Sequence, residues 1–298
     1  MRFDEIGQQL RAFRMESGLR AEEIAARLGV SRAALYRYEK GEVIKLDTVK
    51  RLAELLKISP LSLLGIGVEY YTRPIGFFER LRQMEETADQ IVQISGALAF
   101  LTTSGSFEVA VAEAVDEINT HAGAEAASLR AQSEQVMGLL AARKRSYGLR
   151  RPGITAVIPV ASVRQLLAEG LCGDLALSES TAQRCREAAV AELEHLAETM
   201  ESEPIGQQIG LLPQGRPTVA FSILRTRERA MLATNGFRED GNPVSQVGVA
   251  TVTAADEAVA AHQRVAEACW RETLKGAAAA ARLRELIAAG REGRNELG

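Results

Sequence analysis

Residues 31–41, "SRAALYRYEKG", place Arg32 and Arg37 five positions apart with Tyr36 beside the second. A guanidinium is a planar fork of donors that stays charged at any physiological pH. It suits paired acceptors such as a carboxylate, a phosphate, or the O6 and N7 edge of guanine. Wound as a helix, this stretch can turn Leu35 and Tyr38 inward at i and i+3, leaving Arg32, Ala33, Tyr36 and Arg37 outside. A helix anchored on one face and offering arginines from the other has the form needed to enter a DNA major groove.

Other clusters of reactive residue types are less organised. "ARKRSYGLRR" gathers Arg143, Lys144, Arg145, Arg150 and Arg151 around Tyr147. It reads either as an anion site, for an acidic effector or for flanking DNA, or as a solvated helix end whose cations favour the C-terminal dipole. Arg216, Arg225, Arg227 and Arg229, with Phe221 nearby, form a second group that could line a pocket. Arg143, Arg145, Tyr147, Arg225 and Arg227 are therefore the candidate effector residues.

His121, His195 and His262 stand at no metal-ligand spacing, and there is no HExxH, GxSxG or Walker loop. His195 reads as a satisfied helix histidine. Cys172, Cys185 and Cys269 are odd in number and far apart, which favours buried small side chains over zinc or disulfide chemistry. These absences imply no enzyme, no metal and no cofactor.

The elements that would position the arginines come from helical spacing and caps. Ile6, Leu10 and Phe13 recur over 3–16, with Gly18 where a left-handed cap would sit. "RAEEIAARLG" gives a second helix, acidic at its start and stopped by Gly29. Ser31 is a good N-cap for the third, Asp47 for a fourth, and Ser59-Pro60 for a fifth. Only three residues separate the second and third patterns, which forces a steep crossing, and Ala25 is small where the helices would meet.

Residues 6–64 resemble the Xre-type helix-turn-helix family, the fold of phage repressor and Cro proteins. The motifs that carry the resemblance are "GL" before the second helix, "EEIAARLGVS" across the turn and "YEKG" closing the third. The resemblance implies base reading by Arg32, Ala33 and Arg37, with Ser31, Tyr36 and Lys40 near the sugar-phosphate backbone. It also implies an ion pair, Arg14 with Glu39, bracing the first helix against the third. Many relatives have glutamine where this chain has Ala21. Arg20 can supply that phosphate contact instead, with Lys45, Lys50 and Arg51 as further candidates.

Charge divides along the chain: residues 1–73 carry 13 Lys and Arg against 10 Asp and Glu, leaving 23 against 29 for the rest. A weakly basic head on an acidic body fits a head that meets an anionic polymer. At 46% hydrophobic and 25% charged, with no apolar run approaching membrane-spanning length, the chain reads as a cytoplasmic globular protein, and its start does not read as a signal peptide.

Beyond the head the patterns alternate. A helix is expected over 75–93, a strand at "ALAFLTT", a helix over 107–119, a long helix ending near Tyr147, and a strand at "ITAVIPV". A helix at "TAQRCREAAVAELEHLAETME" follows, then strands at "QQIGLLP", "TVAFSIL", "RAMLATN" and "QVGVATVT", with "EDGNP" as a turn, and two closing helices.

This mixture predicts an all-α head of five helices over 1–66, a linker over 67–75, an α/β domain with a mixed sheet flanked by helices over 76–290, and a mobile tail over 291–298. A helix leading into "GALAFLTT" and the closing "VGVATVTAADEAVAAHQRVAEACW" weakly resemble the phospholipase D-like sensor half of larger Xre-type regulators. No histidine here precedes a lysine at the spacing that fold's catalysis needs.

The expectation is a transcriptional repressor binding a palindromic DNA operator as a homodimer, its C-terminal domain dimerising and sensing a small-molecule or protein effector. An antitoxin-like interaction protein, or an enzyme with a regulatory head, remain alternatives.

Overall fold

The computed structural model describes residues 3–173, 175–215, 219–237 and 246–295. The chain opens with α1 (Phe3–Ser17), α2 (Ala21–Leu28), α3 (Arg32–Glu39), α4 (Leu46–Leu56) and α5 (Pro60–Leu63). Each boundary has a local cause. Gly18 and Gly29 take left-handed φ of 70° and 71° after α1 and α2, a conformation that costs glycine nothing. Ser31 Oγ accepts from the Ala34 N–H at 3.1 Å, and Ser59 Oγ from Leu61 with Pro60 as first helical residue. The start of α4 differs from expectation: Lys45 is its N-cap and Asp47 lies in its first turn, where the carboxylate still favours the dipole. Leu10, Phe13, Ile24, Leu35 and Leu52 are fully buried between these helices, each worth about 1.5–3 kcal/mol of burial.

The larger part is built on a seven-stranded mixed sheet: β1 (Val68–Tyr71), β2 (Gln90–Ile94), β3 (Gly153–Pro159), β4 (Gln207–Leu212), β5 (Ala220–Arg225), β6 (Ala230–Asn235) and β7 (Ala250–Thr253). The order is β1-β7-β6-β5-β2-β3-β4, with β2, β3 and β4 parallel and the other neighbours antiparallel. Helices α6 (Pro74–Glu85), α7 (Gly105–His121), α8 (Ala126–Arg150), α9 (Val160–Glu169), α10 (Glu179–Ser202), α11 (Asp256–Glu272) and α12 (Gly276–Asn295) flank it. Side chains alternate across the sheet. Val157, Phe221 and Ile223 pack on Val259 and Ala266 of α11, while Ile154, Ile158 and Leu224 join the core shared with the remaining helices and with α1.

Several expectations are corrected. The segment 67–75 is no linker: it holds β1, paired with β7 from Val68↔Thr253 to Tyr71↔Ala250, and the first turn of α6. The buried Tyr71 ring stacked on Phe13, with centroids 5.4 Å apart, holds it there. The helix expected over 75–93 stops at Glu85, and 90–94 becomes the interior strand β2, between β3 and β5. "ALAFLTT" is accordingly no strand. It bends into a 3-10 turn over Phe100–Thr102 and buries Phe100 and Leu101, so its apolar character reflects packing without a ladder. One of the two features that carried the phospholipase D-like resemblance goes with it; the other, a strand feeding a helix that holds Trp270, is present as β7 and α11. The expected tail is helical through Asn295. Arg216 and the "EDGNP" turn lie outside the described residues.

Candidate nucleic-acid interface

The α2–α3 corner is set by Gly29 and Val30, whose N–H groups return to Ala26 and Ala25 carbonyls at 3.2 and 3.0 Å. That satisfies the helix end and turns the chain at once into Ser31. Ala34 and Leu35 are buried, Tyr36 and Tyr38 half-buried, and Arg32, Ala33, Arg37 and Lys40 exposed. Arg20, Ser31, Lys45, Lys50 and Arg51 are exposed as well, on the helix starts around α3. Arg51 Nη2 reaches the Arg27 carbonyl at 3.4 Å. The structure brings Arg14 and Glu39 together as a two-pronged pair, with Nη2 to Oε2 at 3.1 Å. Burial alone would depress the Arg14 guanidinium, but Glu39 raises it above its ordinary value, so the brace stays charged.

Both outward arginines already hold acceptors. Arg32 Nη1 lies 2.7 Å from Glu22 Oε1 and its Nη2 donates to the Tyr36 hydroxyl at 3.2 Å. Arg37 Nε donates to Glu42 Oε2 at 2.6 Å. These pairs are about half exposed on each side, the class worth about 0–1 kcal/mol, so a stronger paired acceptor displaces the carboxylate at little cost. The sequence assigned Glu22 to a helix dipole and Glu42 to no role. Their acidity next to α3 was the available signal.

The head is joined to the rest of the chain by polar contacts, some of them buried. Glu69 on β1 accepts from Arg80 Nε and Nη2 at 2.8 Å each, from Tyr71 Oη at 2.6 Å and from Gln9 Nε2 at 3.1 Å. Burial would depress Arg80, but the facing Glu69 overrides it and holds the guanidinium charged. Burial and the Glu69 charge push the Tyr71 hydroxyl well up, so it remains a donor. Arg11 meets the fully buried Glu79 at 3.0 Å, and Glu16 accepts from Thr72 and Arg73. Gln83 donates to the Gln8 carbonyl, and Arg229 pairs with Glu5 at 3.2 Å.

Residues 5–63 match the family model of a helix-turn-helix domain. A protein of Pyrococcus horikoshii named "Putative HTH-type transcriptional regulatory protein" is 29% identical over 142 residues, 44% of this chain and 45% of that protein. One of Pyrococcus abyssi with the same description is 26% identical over 172 residues, 54% and 53%. The chain spans about half the length of the curated relatives it matches. A solved structure, that of TrmBL2, described as an archaeal chromatin protein with a novel mode of DNA binding, overlaps 77% of this chain and 62% of its own at 9% identity. Its TM-score of 0.34 supports no argument about fold or function.

The expected effector residues do not converge. Arg143 is buried and held by Glu85, with Nη2 to Oε1 at 2.9 Å, and its guanidinium lies 4.8 Å from the Phe100 ring centroid. Its charge is spent inside the protein, so the anion site around it is withdrawn. Arg145 is exposed and Tyr147 half-buried on the same helix, with burial raising the Tyr147 hydroxyl. Arg225 donates to Gln263 of α11 at 3.0 Å, on the face of the sheet opposite α8, and Arg227 sits in the turn after β5. His195 Nε2 meets the Thr102 carbonyl at 3.2 Å. Cys172 and Cys185 are buried and Cys269 half-buried, all as free thiols. Among the described residues no cluster could hold a metal ion, and no helix is long and apolar enough to cross a membrane.

Proposed function

We propose that the chain is a transcriptional regulator of the Xre type, a repressor that binds a palindromic operator as a homodimer. The observation that carries this reading is α3 itself. Ala34 and Leu35 fix its inner side, Ser31 caps it and Glu39 ties it to α1, while Arg32, Ala33 and Arg37 face solvent, the arginines held by exposed carboxylates and, for Arg32, the Tyr36 hydroxyl. In the bound state Arg32 and Arg37 read guanine edges and Ala33 packs against a base. Arg20, Ser31, Tyr36, Lys40, Lys45, Lys50 and Arg51 follow the phosphates. One such helix makes too few contacts for useful specificity, whereas two about 34 Å apart read successive major grooves.

The helix-turn-helix match over 5–63 supports the reading, as do the printed names of the relatives. Titration of labelled promoter fragments tests it. Arg37→Ala is expected to lose about 1–3 kcal/mol of binding and to relax preference at one base pair per half-site. An equal loss across every operator variant removes Arg37 from base reading, and no binding at all removes the function.

A further inference from the structure

A cleft of 780 Å³ separates the head from α8, within the size range of small-molecule sites. One wall is the end of α1 and the start of α2, closed by Tyr36; the other is the N-terminal half of α8. Four guanidiniums line it. Arg11 and Arg14 are neutralised by Glu79 and Glu39, but Arg20 and Arg73 have no ion pair among the described residues. Arg73 is held in place: its backbone N–H donates to Glu16, its Nη1 to the Glu16 carbonyl at 3.4 Å, and its guanidinium occupies the space over Gly18 where a side chain would stand. Glu22, the carboxylate on the wall, is engaged by Arg32. The cleft therefore sets two guanidiniums with no ion pair among the described residues beside apolar surface from Met15 and Leu19, while the Glu16 and Glu23 carboxylates are turned onto the Arg73 and Arg20 backbone N–H groups.

We infer that this cleft binds a small organic anion, a carboxylate or phosphate on an apolar body, which competes with DNA for Arg20 and Tyr36. The inference rests on the proposed function in one respect: those two residues are also assigned to the operator backbone. Guanidinium donors that no carboxylate side chain engages favour a carboxylate or phosphate over a neutral ligand. An occupant here relieves repression by taking DNA contacts directly, and by linkage DNA weakens the anion by the same factor.

The test uses the full chain and three probes followed by calorimetry: 1-naphthoate, 1-naphthyl phosphate and neutral 1-naphthol. At least one anion is expected to bind at a single site, naphthol about tenfold more weakly or not at all, and comparison of the two anions tells carboxylate from phosphate. Arg73→Gln should weaken the anion about tenfold. Ala131→Trp, which fills the cleft from the exposed side of α8 without touching the head joint, should abolish binding. No saturable binding by either anion, equal binding of all three probes, or binding unchanged in both variants overturns the inference.

With a promoter fragment present, the anion should raise the apparent Kd for DNA in proportion to its own occupancy, and DNA affinity unaffected by bound anion overturns the competition. If both variants weaken DNA binding while neither anion binds, the cleft receives the DNA backbone instead, and the small-anion site is wrong. The probe titrations need no DNA, so a fragment that fails to bind counts against the proposed function alone, and the anion site stands or falls on calorimetry.

Discussion

Removing Glu69 tests the buried ion pair that ties β1 to α6 beneath the head. In Glu69→Ala, Arg80 would lose two bonds of 2.8 Å and the only carboxylate bonded to it among the described residues, at a site where its side chain is 3% exposed. Breaking a buried pair by removing one partner costs about 3–5 kcal/mol, because the surviving charge is stranded. For a chain of this size that lowers Tm by roughly 10 °C. Urea denaturation followed by circular dichroism measures it. The control is Glu69→Leu with Arg80→Met, which removes the stranded charge. It should recover most of the loss, leaving about 1–3 kcal/mol for the Tyr71 hydroxyl and Gln9 amide that also lose their acceptor. A single variant costing under about 1 kcal/mol, or a double variant as unstable as the two singles summed, would refute the argument that this pair is a buried, coupled joint.

Glu42→Gln frees Arg37 and removes a negative charge from the proposed DNA face, so operator affinity should rise about two- to fivefold in an anisotropy titration at fixed salt, as expected for an exposed pair; a loss would mean that Glu42 positions Arg37. Gly7→Ala places a Cβ 2.5 Å from the Tyr38 carbonyl oxygen and 2.7 Å from that of Glu39, forcing α1 off the end of α3. It should destabilise by about 1–3 kcal/mol, read as a lower urea midpoint, and an unchanged midpoint would contradict the α1–α3 packing. Burial raises the Glu79 carboxyl, but hydrogen bonds from Arg82 and the charge of Arg11 win and hold it below its ordinary value of 4.5. Its contribution is therefore complete above that pH and lost as pH falls through the depressed value. Glu79→Gln should be less stable than the parent at pH 7, with the gap closing below about pH 4.5 in chemical denaturation; a gap independent of pH would exclude the charge.

What could be read from sequence was what is decided locally. Gly29, Ser31 and Ser59-Pro60 act within a turn of themselves, and Gly153 and Pro159 bound β3 directly. β2 was missed because "QIVQI" follows the helix after only the short polar stretch 86–89, and only its neighbours β3 and β5 make it a strand. Likewise "VEYY" follows a glycine and precedes Arg73-Pro74, so it looked like a connector until β7, far along the chain, supplied its ladder. The anion site failed for the same reason. Nothing near Arg143 in sequence announces Glu85, 58 positions away, whereas Arg20 and Arg73, without an ion pair among the described residues, lie 53 positions apart and line one cleft only in the folded chain.

The joint also limits how a signal could reach α3. If the head hung on a linker, an effector could act by swinging it. Here, Phe13 stacks on Tyr71, and Gln9, Arg11 and Glu16 all bond across to β1 and α6. Reorienting the head would unstack Phe13 from Tyr71 and take the Gln9 amide from the buried Glu69, and buried polar groups left without a partner cost about 1–3 kcal/mol each. A ligand moves an equilibrium by no more than its differential affinity for the two states, so one that must also open this joint has that cost set against it. A ligand that occupies the cleft and competes for Arg20 and Tyr36 leaves the joint closed, which makes direct competition the cheaper route to release from DNA in this architecture.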